Sequence, residues 1–342
     1  MTRDNASYQG ALGHYLSPRR RDPVKTLMEE VVSHKIFASA VRRLRLPAGR
    51  PLRVLDIGSG VGDGFDLLTE THGDLAPVAA AHRLDYVGLD GDPDMVETAT
   101  ALHSVPGATF RVGDMRDRLP DGDFDLYLSC GVPYSHLTTG EVTEVIANIM
   151  RRILDAGRRA AIIVDVLGRF SIEWMSNWHS PRWNYAMTFF EDTTERLEQQ
   201  MTFFDRTSLG EAIAAAARSA GAQPAELNFT DRSILVGRHT ATGAFNPSIP
   251  PYRTLINDLV RDPSRVSLRE LYFEPPRAGA PPEILHFFRT LAGSWNEMLD
   301  QAAHSGKGIR ALASALLRCE TREQRGLGVG HSLTATVIID AS

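Results

Sequence analysis

The chain has 342 residues, of which 43% are hydrophobic and 23% are charged. This composition is typical of a globular protein with one large domain, or a core domain and an appended one, and it excludes a fibrous or wholly disordered chain. No run of about 18 apolar residues predicts a membrane span, and residues 1–10 lack the apolar segment of a signal peptide. Two cysteines, Cys130 and Cys319, cannot form a disulfide framework or a cysteine-rich zinc site. We expect a reduced, cytoplasmic protein that does not bind a membrane.

Charge is distributed unevenly along the chain. The net charge is −5, which argues against broad binding to nucleic acid. Residues 1–50 nevertheless carry a net charge of +6, so the remainder carries −11. The basic segment could face an acidic partner, an anionic substrate or the acidic body of its own chain. A basic helix packed on its own domain is the simplest of these interpretations.

An amphipathic helix is predicted over residues 23–45. Asp22 is a suitable N-cap and Pro23 suits the first helical position. Apolar residues then recur at helical spacing until Pro47 and Gly49 end the pattern. One face of this helix must pack on the rest of the protein.

Short apolar runs then alternate with helical segments. The predicted strands are 52–57, 86–89, 109–112, 124–129 and 160–166, and a helix is predicted over 142–153. Such alternation indicates a parallel sheet with helices on both faces. We expect an α/β protein with a Rossmann-like, seven-stranded, mostly parallel sheet.

The second half departs from this pattern. Residues 168–206 contain three of the four tryptophans and are predicted to include a hairpin of 184–191 and 199–204. A helix over 209–220 and closing strands at 227–229 and 233–236 follow. The last hundred residues show helical patterns near 252–260, 284–303 and 308–319, then an apolar, strand-like ending at 332–339 that should pair with a sheet of this chain or of a partner. We predict that the chain divides into an N-terminal helical arm or lid (1–50), a core domain (51–238, with an aromatic insertion at 168–206) and a C-terminal extension that serves as a lid or for dimerisation (239–342).

A glycine-rich turn follows the first predicted strand. The segment 54–64 runs from apolar residues through Asp56 into Gly58, Gly60 and Gly62. Glycine allows a tight turn and a close approach of a ligand to the backbone. A dinucleotide fingerprint would need a third glycine at position 63, where Asp63 stands, and no P-loop lysine follows. These acids favour a ligand with a positive or neutral part beside the turn.

With these residues the segment 54–62 resembles the first motif of the class I S-adenosylmethionine-dependent methyltransferases. The resemblance covers about residues 50–165 well and extends less clearly to about 238. It implies S-adenosylmethionine as cofactor, with its methionine half at Asp56, Gly58, Ser59 and Gly60. A carboxylate that ends strand two holds the ribose hydroxyls in this family, and here it is Asp90, followed by Gly91.

Two further motifs carry the resemblance. Asp114 and Met115, after strand three, correspond to the residues that contact the adenine amino group and cover its ring. Ser129 and Cys130, after strand four, correspond to the segment beside the reactive end of the cofactor. One departure is the spacing of 30 residues from Gly60 to Asp90, against about 20 in a dinucleotide fold.

Methyl transfer from a sulfonium requires alignment of a nucleophile and, for some acceptors, removal of a proton. His136 is the candidate base, because it follows strand four at the carboxyl edge of the sheet, and Tyr134 and Ser135 could orient the substrate. Each is equally compatible with a structural role. His179 and Glu173 are weaker candidates. The histidines show no metal-ligand spacing, so no metal is predicted.

The aromatic side chains of the insertion are expected to attract the sulfonium by cation–π interaction or to form a lid that excludes water. The alternative is that they belong to the core. The lid candidates are Trp174, Trp178, Trp183 and Tyr185. Added elements would roof the pocket with a further set: Tyr8, Tyr15, Tyr252, Arg253, Asn257, Tyr272 and Trp295. Arg253 and Asn257 share a helix face and could hold a substrate carboxylate, or form a surface pair.

The motifs narrow the substrate class. The Asn-Pro-Pro-aromatic motif of DNA and protein-glutamine methyltransferases is absent at 131–134, and so is the glutamate pair of protein arginine methyltransferases. Only about 50 residues precede the first strand, against the long dimerisation region of plant-type O-methyltransferases. A small-molecule methyltransferase is the leading hypothesis, and its assembly as a homodimer is left open. The alternatives are aminoalkyl transfer or cyclisation of the cofactor with release of methylthioadenosine, a non-catalytic binding protein, and a nicotinamide oxidoreductase, which Asp63 disfavours.

Overall fold

The computed structural model describes residues 12–187, 197–237, 246–305, 309–323 and 325–341. Its strands are β1 Leu52–Ile57, β2 Leu84–Asp90, β3 Ala108–Val112, β4 Leu126–Leu128, β5 Arg159–Gly168, β6 Arg182–Met187, β7 Leu197–Phe204, β8 Pro224–Arg232 and β9 Ser332–Asp340. Its α-helices are α1 Leu12–Tyr15, α2 Glu30–Leu44, α3 Asp63–Thr69, α4 Pro93–Leu102, α5 Thr139–Asp155, α6 Arg206–Ala220, α7 Tyr252–Arg261, α8 Pro282–Ser305 and α9 Ile309–Arg322. Within these ranges no helix has both the length and the apolar character that crossing a membrane requires.

Seven strands of a nine-stranded sheet form its central part in the order β3-β2-β1-β4-β5-β9-β8. All neighbours are parallel except β9, which runs antiparallel to both β5 and β8. Helices α5 and α6 cover one face, and α2 and α3 cover the other. Burial on both faces explains why β1 and β5 read as almost continuous apolar runs. The predicted fold class is confirmed.

Strand β9 occupies a central position. It pairs with β5 from Leu167↔Ser332 to Arg159↔Asp340, and its opposite edge pairs with β8. The apolar ending therefore pairs with a sheet of this chain, one of the two predicted possibilities. The predicted C-terminal extension differs from the structure here: its last strand belongs to the core sheet, and residues 233–331 form an insertion between β8 and β9.

The second predicted closing strand, 233–236, is not a strand, whereas 227–229 lies within β8. The backbone N–H groups of Ile234, Leu235 and Val236 donate to the buried carboxylate of Glu320 at 2.6 to 3.2 Å. A carboxylate from α9 thus replaces the strand partner that these amide groups would otherwise need. Burial raises the pKa of Glu320 to about 7.

The predicted N-terminal helix is present. Residues 23–44 are helical, with a π-helical segment at Lys25–Glu29 that leads into α2. The N-cap is confirmed, since Asp22 accepts a hydrogen bond from the N–H of Lys25 at 2.9 Å. Part of the basic charge pairs with acids of the same chain, as Arg43 does with Glu226 at 2.9 Å. The interpretation that the arm faces its own domain is therefore supported.

The aromatic segment contains the predicted hairpin. Strands β6 and β7 pair antiparallel over 182–187 and 197–202, and β7 joins the end of β5 through Leu167↔Phe203 and Gly168↔Phe204. Part of the predicted hairpin, including Phe189 and Phe190, lies outside the described residues. The hairpin and the helices α7 to α9 share one apolar core with the start of the N-terminal helix.

Arg253 belongs to a buried ion-pair group, which corrects its predicted substrate role. Its guanidinium donates to Asp22 at 2.7 Å and to Glu29 at 2.8 Å, and the three side chains are 7%, 9% and 12% exposed. Asn257 accepts from the N–H of Val24 and donates to Asp22, both at 2.9 Å. Both side chains use their donors to fix α7 to the N-terminal helix, so neither is available for a substrate carboxylate.

Replacement of Arg253 by leucine should lower the free energy of unfolding by about 3–5 kcal/mol, because Asp22 and Glu29 would remain as buried, uncompensated charges. Urea unfolding followed by circular dichroism measures this loss. Arg261→Ala is the matched control on the same helix: its ion pair with Asp258 is exposed, so a change below about 0.5 kcal/mol is expected. Equal effects of the two substitutions would contradict this account.

Candidate functional site

The glycine turn after β1 is open on one side. Gly58 and Gly60 have φ angles of +71° and +53°, in the left-handed region that favours glycine. A Cβ on Gly58 would stand 2.4 Å from Cβ of Pro133, whereas a Cβ on Gly60 would meet nothing within 4 Å. Gly91 also faces open space. The backbone here leaves room for a ligand at the carboxyl edge of the sheet.

Asp56, at the end of β1, is fully buried. The Tyr86 hydroxyl donates to its Oδ2 at 2.5 Å, while its Oδ1 has no hydrogen-bond partner. Burial raises the pKa of Asp56 to about 7, the Tyr86 hydrogen bond opposes the rise, and the charge of Asp90 adds to it. A buried acceptor without a donor is costly unless a ligand supplies one.

Asp90 connects the end of β2 to the glycine turn. Its carboxylate accepts from the N–H of Gly60 at 2.8 Å and from that of Asp92 at 3.0 Å. Burial raises the pKa of Asp90. The hydroxyl of Ser59 is buried beside this turn and has no partner. Each carboxylate oxygen retains accepting capacity, as two adjacent ribose hydroxyls would require.

These groups fit S-adenosylmethionine. The unpartnered Oδ1 of Asp56 suits the ammonium of an amino acid, and the carboxylate of Asp90 suits a pair of hydroxyls. Gly60 lies between them in sequence, and its backbone N–H donates to Asp90. The space beside Gly60 is open. The turn therefore brings together the acceptors needed for both the amino acid half and the nucleoside half of this cofactor.

Asp114 is already engaged by a residue that the motif did not identify. Arg116 binds both carboxylate oxygens through its side chain, at 2.5 to 2.9 Å, and its N–H donates to Oδ1. Arg116 also lies 3.6 Å from Glu141. An adenine amino group would share Asp114 with this guanidinium. Met115 is partly buried against the core under α5.

The loop after β4 is fixed by Asp165. The Oδ2 of Asp165 accepts from the N–H groups of Gly131 and Val132, at 3.0 and 3.2 Å, and from Arg232 at 3.0 Å. This clamp holds Val132 at a φ of +64°, a strained value for a β-branched residue. Sequence analysis missed Asp165, because it lies inside an apolar strand pattern.

Ser129 and Cys130 lie where the resemblance places them, but the serine hydroxyl is occupied. It donates to the carbonyl of Ile163 at 2.8 Å and accepts from the N–H of Asp165 at 3.0 Å. The hydroxyl therefore joins β4 to β5. Burial raises the pKa of Cys130 well above its usual range, so this thiol stays protonated.

Tyr134, Ser135 and His136 form a 3₁₀ helix over Pro133–His136. Tyr134 is buried near Asp56, and burial followed by that charge raises its pKa. The Ser135 hydroxyl accepts from the N–H of Leu167 at 2.7 Å, which ties the turn to β5 rather than to a substrate. His136 is hydrogen-bonded to Gln199, and burial lowers its pKa to about 4.

The four aromatic lid candidates differ in how deeply they are buried. The indole N–H groups of Trp174 and Trp178 donate to the carbonyls of Gly168 and Ser171, at 3.0 and 2.7 Å, and both rings are buried. These two side chains are therefore core, not a substrate-facing lid. Trp183 is partly buried and stacks on Phe203 at 4.5 Å, and Tyr185 packs edge-on against Trp174.

The other predicted roof residues are placed differently. Tyr252 and Trp295 are buried in the inserted helices and donate to the carbonyls of Tyr272 and Leu271, both at 2.8 Å. This corrects their assignment to a roof. Tyr15 lies 4.6 Å from the Arg20 guanidinium, and Tyr8 lies outside the described residues.

The N-terminal arm reaches the glycine turn. Arg20 is buried and forms an ion pair with Asp63, the first residue of α3, with a hydrogen bond of 2.9 Å. Lys25 lies 3.9 Å from the same carboxylate. Asp63, which disfavoured a dinucleotide, is thus held by cations of the arm.

Comparisons with known proteins support the motif assignment. Residues 54–157 match the family model of a methyltransferase domain. Similar solved structures include a putative methyltransferase in complex with the Trm112 activator from Haloferax volcanii, 15% identical over 93% of this chain and 96% of that one, TM-score 0.38. DesVI from Streptomyces venezuelae is 18% identical over 59% of this chain and 86% of that one, TM-score 0.38. Geranyl diphosphate C-methyltransferase from Streptomyces coelicolor is 11% identical over 90% of this chain and 77% of that one, with a TM-score of 0.38.

The family assignment comes from the match at 54–157, which contains the glycine turn, Asp90 and the loop after β4. This segment matches the model of a methyltransferase domain, which confirms the resemblance that the motifs predicted. S-adenosylmethionine is the cofactor of this class. The predicted roles of individual residues remain proposals.

Asp56 should cost the cofactor-free protein stability above neutral pH. Its pKa of about 7 in the folded state exceeds the ordinary value of 3.8, so folding takes up a proton between these values. The free energy of unfolding therefore falls as pH rises through this window. Asp56→Asn should reduce that fall by about 1–3 kcal/mol between pH 5 and 8, measured by urea unfolding, while weakening cofactor binding at pH 8. Exposed Asp74→Asn is the control, and an equal effect there would refute the explanation.

Proposed function

We propose that this protein transfers the methyl group of S-adenosylmethionine to a small-molecule nucleophile by in-line displacement. The observation that carries the proposal is the pairing of Asp56, with its unpartnered Oδ1, and Asp90, which binds Gly60, around one open glycine turn. When bound, the cofactor supplies an electrophilic methyl group on a sulfonium. The protein then needs to orient the acceptor and manage its proton.

Each residue has a proposed role in this arrangement. The carboxylate of Asp56 holds the cofactor ammonium and that of Asp90 holds the ribose hydroxyls. Asp114, shared with Arg116, and Met115 contact the adenine. Asp56 is a buried carboxylate with one unpartnered oxygen, so it favours a cationic ligand group at this edge of the sheet.

Substrate size is limited by the elements above β5. The hairpin β6–β7 and the 3₁₀ helix Ile172–Asn177 pack into one core with α7 to α9. Trp174 and Tyr185 are buried inside this core. A site beside this packed core suits a small acceptor, such as an amino acid-like or natural-product nucleophile, better than a polymer.

His136 is proposed to contact the acceptor as a neutral hydrogen-bonding group. With a pKa near 4, its imidazole is uncharged at neutral pH, and Gln199 fixes its orientation. A base with so low a pKa removes protons weakly. The buried hydroxyl of Tyr134, close to Asp56, is the second group proposed to contact the substrate.

Cofactor binding should depend on Asp90. We expect calorimetry to show binding of S-adenosylhomocysteine by the wild type with a Kd on the order of micromolar, and about 100-fold weaker binding by Asp90→Ala, which loses two hydrogen bonds to a charged acceptor. Asp85→Ala is the matched control on the same strand, since Asp85 pairs with the exposed Arg83. Failure of the wild type to bind would favour the non-catalytic alternative.

The reaction type is read from the nucleoside product. Incubation with S-adenosylmethionine and panels of amines, phenols and amino acids should release S-adenosylhomocysteine only when an acceptor is methylated. Chromatography with mass detection separates this product from methylthioadenosine. Release of methylthioadenosine instead would show aminoalkyl transfer or cyclisation, and would overturn the methyl-transfer proposal while keeping the cofactor site.

A further inference from the structure

A buried glutamate–histidine pair lies at the carboxyl edge of the sheet and has no role in the site described above. Nδ1 of His331 stands 2.5 Å from Oε2 of Glu173, and the side chains are 4% and 1% exposed. Nε2 of His331, on the other side of the ring, is buried and has no hydrogen-bond partner. The pair therefore has one satisfied nitrogen and one free nitrogen.

The fold places His331 precisely. It precedes β9, its carbonyl accepts from the N–H of Gly168 at 3.0 Å, and its own N–H donates to the carbonyl of Ser233 at 2.8 Å. The preceding loop, 327–330, donates four N–H groups to the buried carboxylate of Asp231 at 2.6 to 3.3 Å. A Cβ on Gly330 would stand 2.4 Å from the carbonyl oxygen of Arg232. The backbone that carries the imidazole is therefore fixed on both sides.

The position of His331 matches the substrate side of the fold. Gly168 ends β5, next to Leu167, whose N–H is bound by Ser135 of the proposed substrate-contacting turn. The imidazole packs against the Trp174 ring at a centroid distance of 5.4 Å. Ligands of open α/β sheets bind outside the carboxyl ends of the strands. His331 and Ser135, the neighbour of His136, are thus both bound to the end of β5.

We propose that His331 is the proton acceptor for the methyl-accepting group and that Glu173 is its positioning residue. This inference rests on the proposed function. Since Glu173 accepts a hydrogen bond from Nδ1–H, the neutral imidazole carries its lone pair on Nε2. The acceptor X–H gives its proton to Nε2 as its electron pair forms the X–CH₃ bond. The electrons of the broken C–S bond remain on sulfur, and the imidazolium, stabilised by Glu173, returns the proton to water.

Other charged groups near the pair already have partners. Arg169 pairs with Asp205 at 3.3 Å, and Arg232 pairs with Asp165 at 3.0 Å. Asp231 is surrounded by the four loop amides. Glu173 is thus the charged group that bonds to the imidazole directly.

The test uses the full-length enzyme with histidine side chains labelled with ¹⁵N, and needs no acceptor. The His331 signals are assigned through contacts with the Trp174 indole, so the assignment does not depend on a folded variant. Titrations are compared between the complex with S-adenosylhomocysteine and that with sinefungin, which carries a charged amine in place of the methylsulfonium. A positive charge within about 8 Å should lower the pKa of His331 by at least half a unit in the sinefungin complex.

Glu173→Gln provides the second readout. It should lower the pKa of His331 and raise the fraction protonated at Nε2, while leaving the affinity for S-adenosylhomocysteine within twofold. Exposed His304→Gln is the control and should leave both His331 signals unchanged. Identical His331 titrations in the two complexes would overturn this inference and leave the proposed function intact. Failure of the wild type to bind either nucleoside would instead overturn the proposed function.

Discussion

The antiparallel pairing of β9 with β5 and β8 is the constraint on which the rest of the structure depends. It places the last strand of the chain inside the sheet, so the insertion 233–331 must leave and re-enter at the carboxyl edge. The inserted helices consequently share one apolar core with Val132, after β4, and Leu167, near the end of β5. The position of the inserted helices and the closure of the sheet are thus consequences of one topological feature.

Buried carboxylates bind backbone N–H groups of the loops at the carboxyl edge of the sheet. Asp165 fixes the loop after β4, Asp231 fixes the loop before β9, and Glu320 replaces a strand partner for 234–236. Each is satisfied by backbone N–H groups, as buried charges require. Asp56 differs, because one of its oxygens has no partner. That unsatisfied acceptor marks the place where the fold gives up stability for binding.

Local patterns allowed much of this fold to be predicted. β1 was bounded correctly because continuous burial produces a continuous apolar run, and the glycine turn followed it because only glycine accepts those φ angles. The central place of β9 was not predictable, since an apolar strand carries no record of its partners. Arg253 and His331 depend on contacts across 224 and 158 positions of sequence, which spacing within a motif cannot reveal. For His331, the glycines at alternate positions in the loop 326–331 were a local indication that the backbone is closely packed there.

The crystal structure of the complex with S-adenosylhomocysteine tests the central claim most directly. Our account predicts that both ribose hydroxyls bind the carboxylate of Asp90 and that the amino group lies within hydrogen-bond distance of Oδ1 of Asp56, with the backbone of Gly60 against the ligand. A nucleoside bound elsewhere, or bound at the turn with Oδ1 of Asp56 still unpartnered, would contradict it.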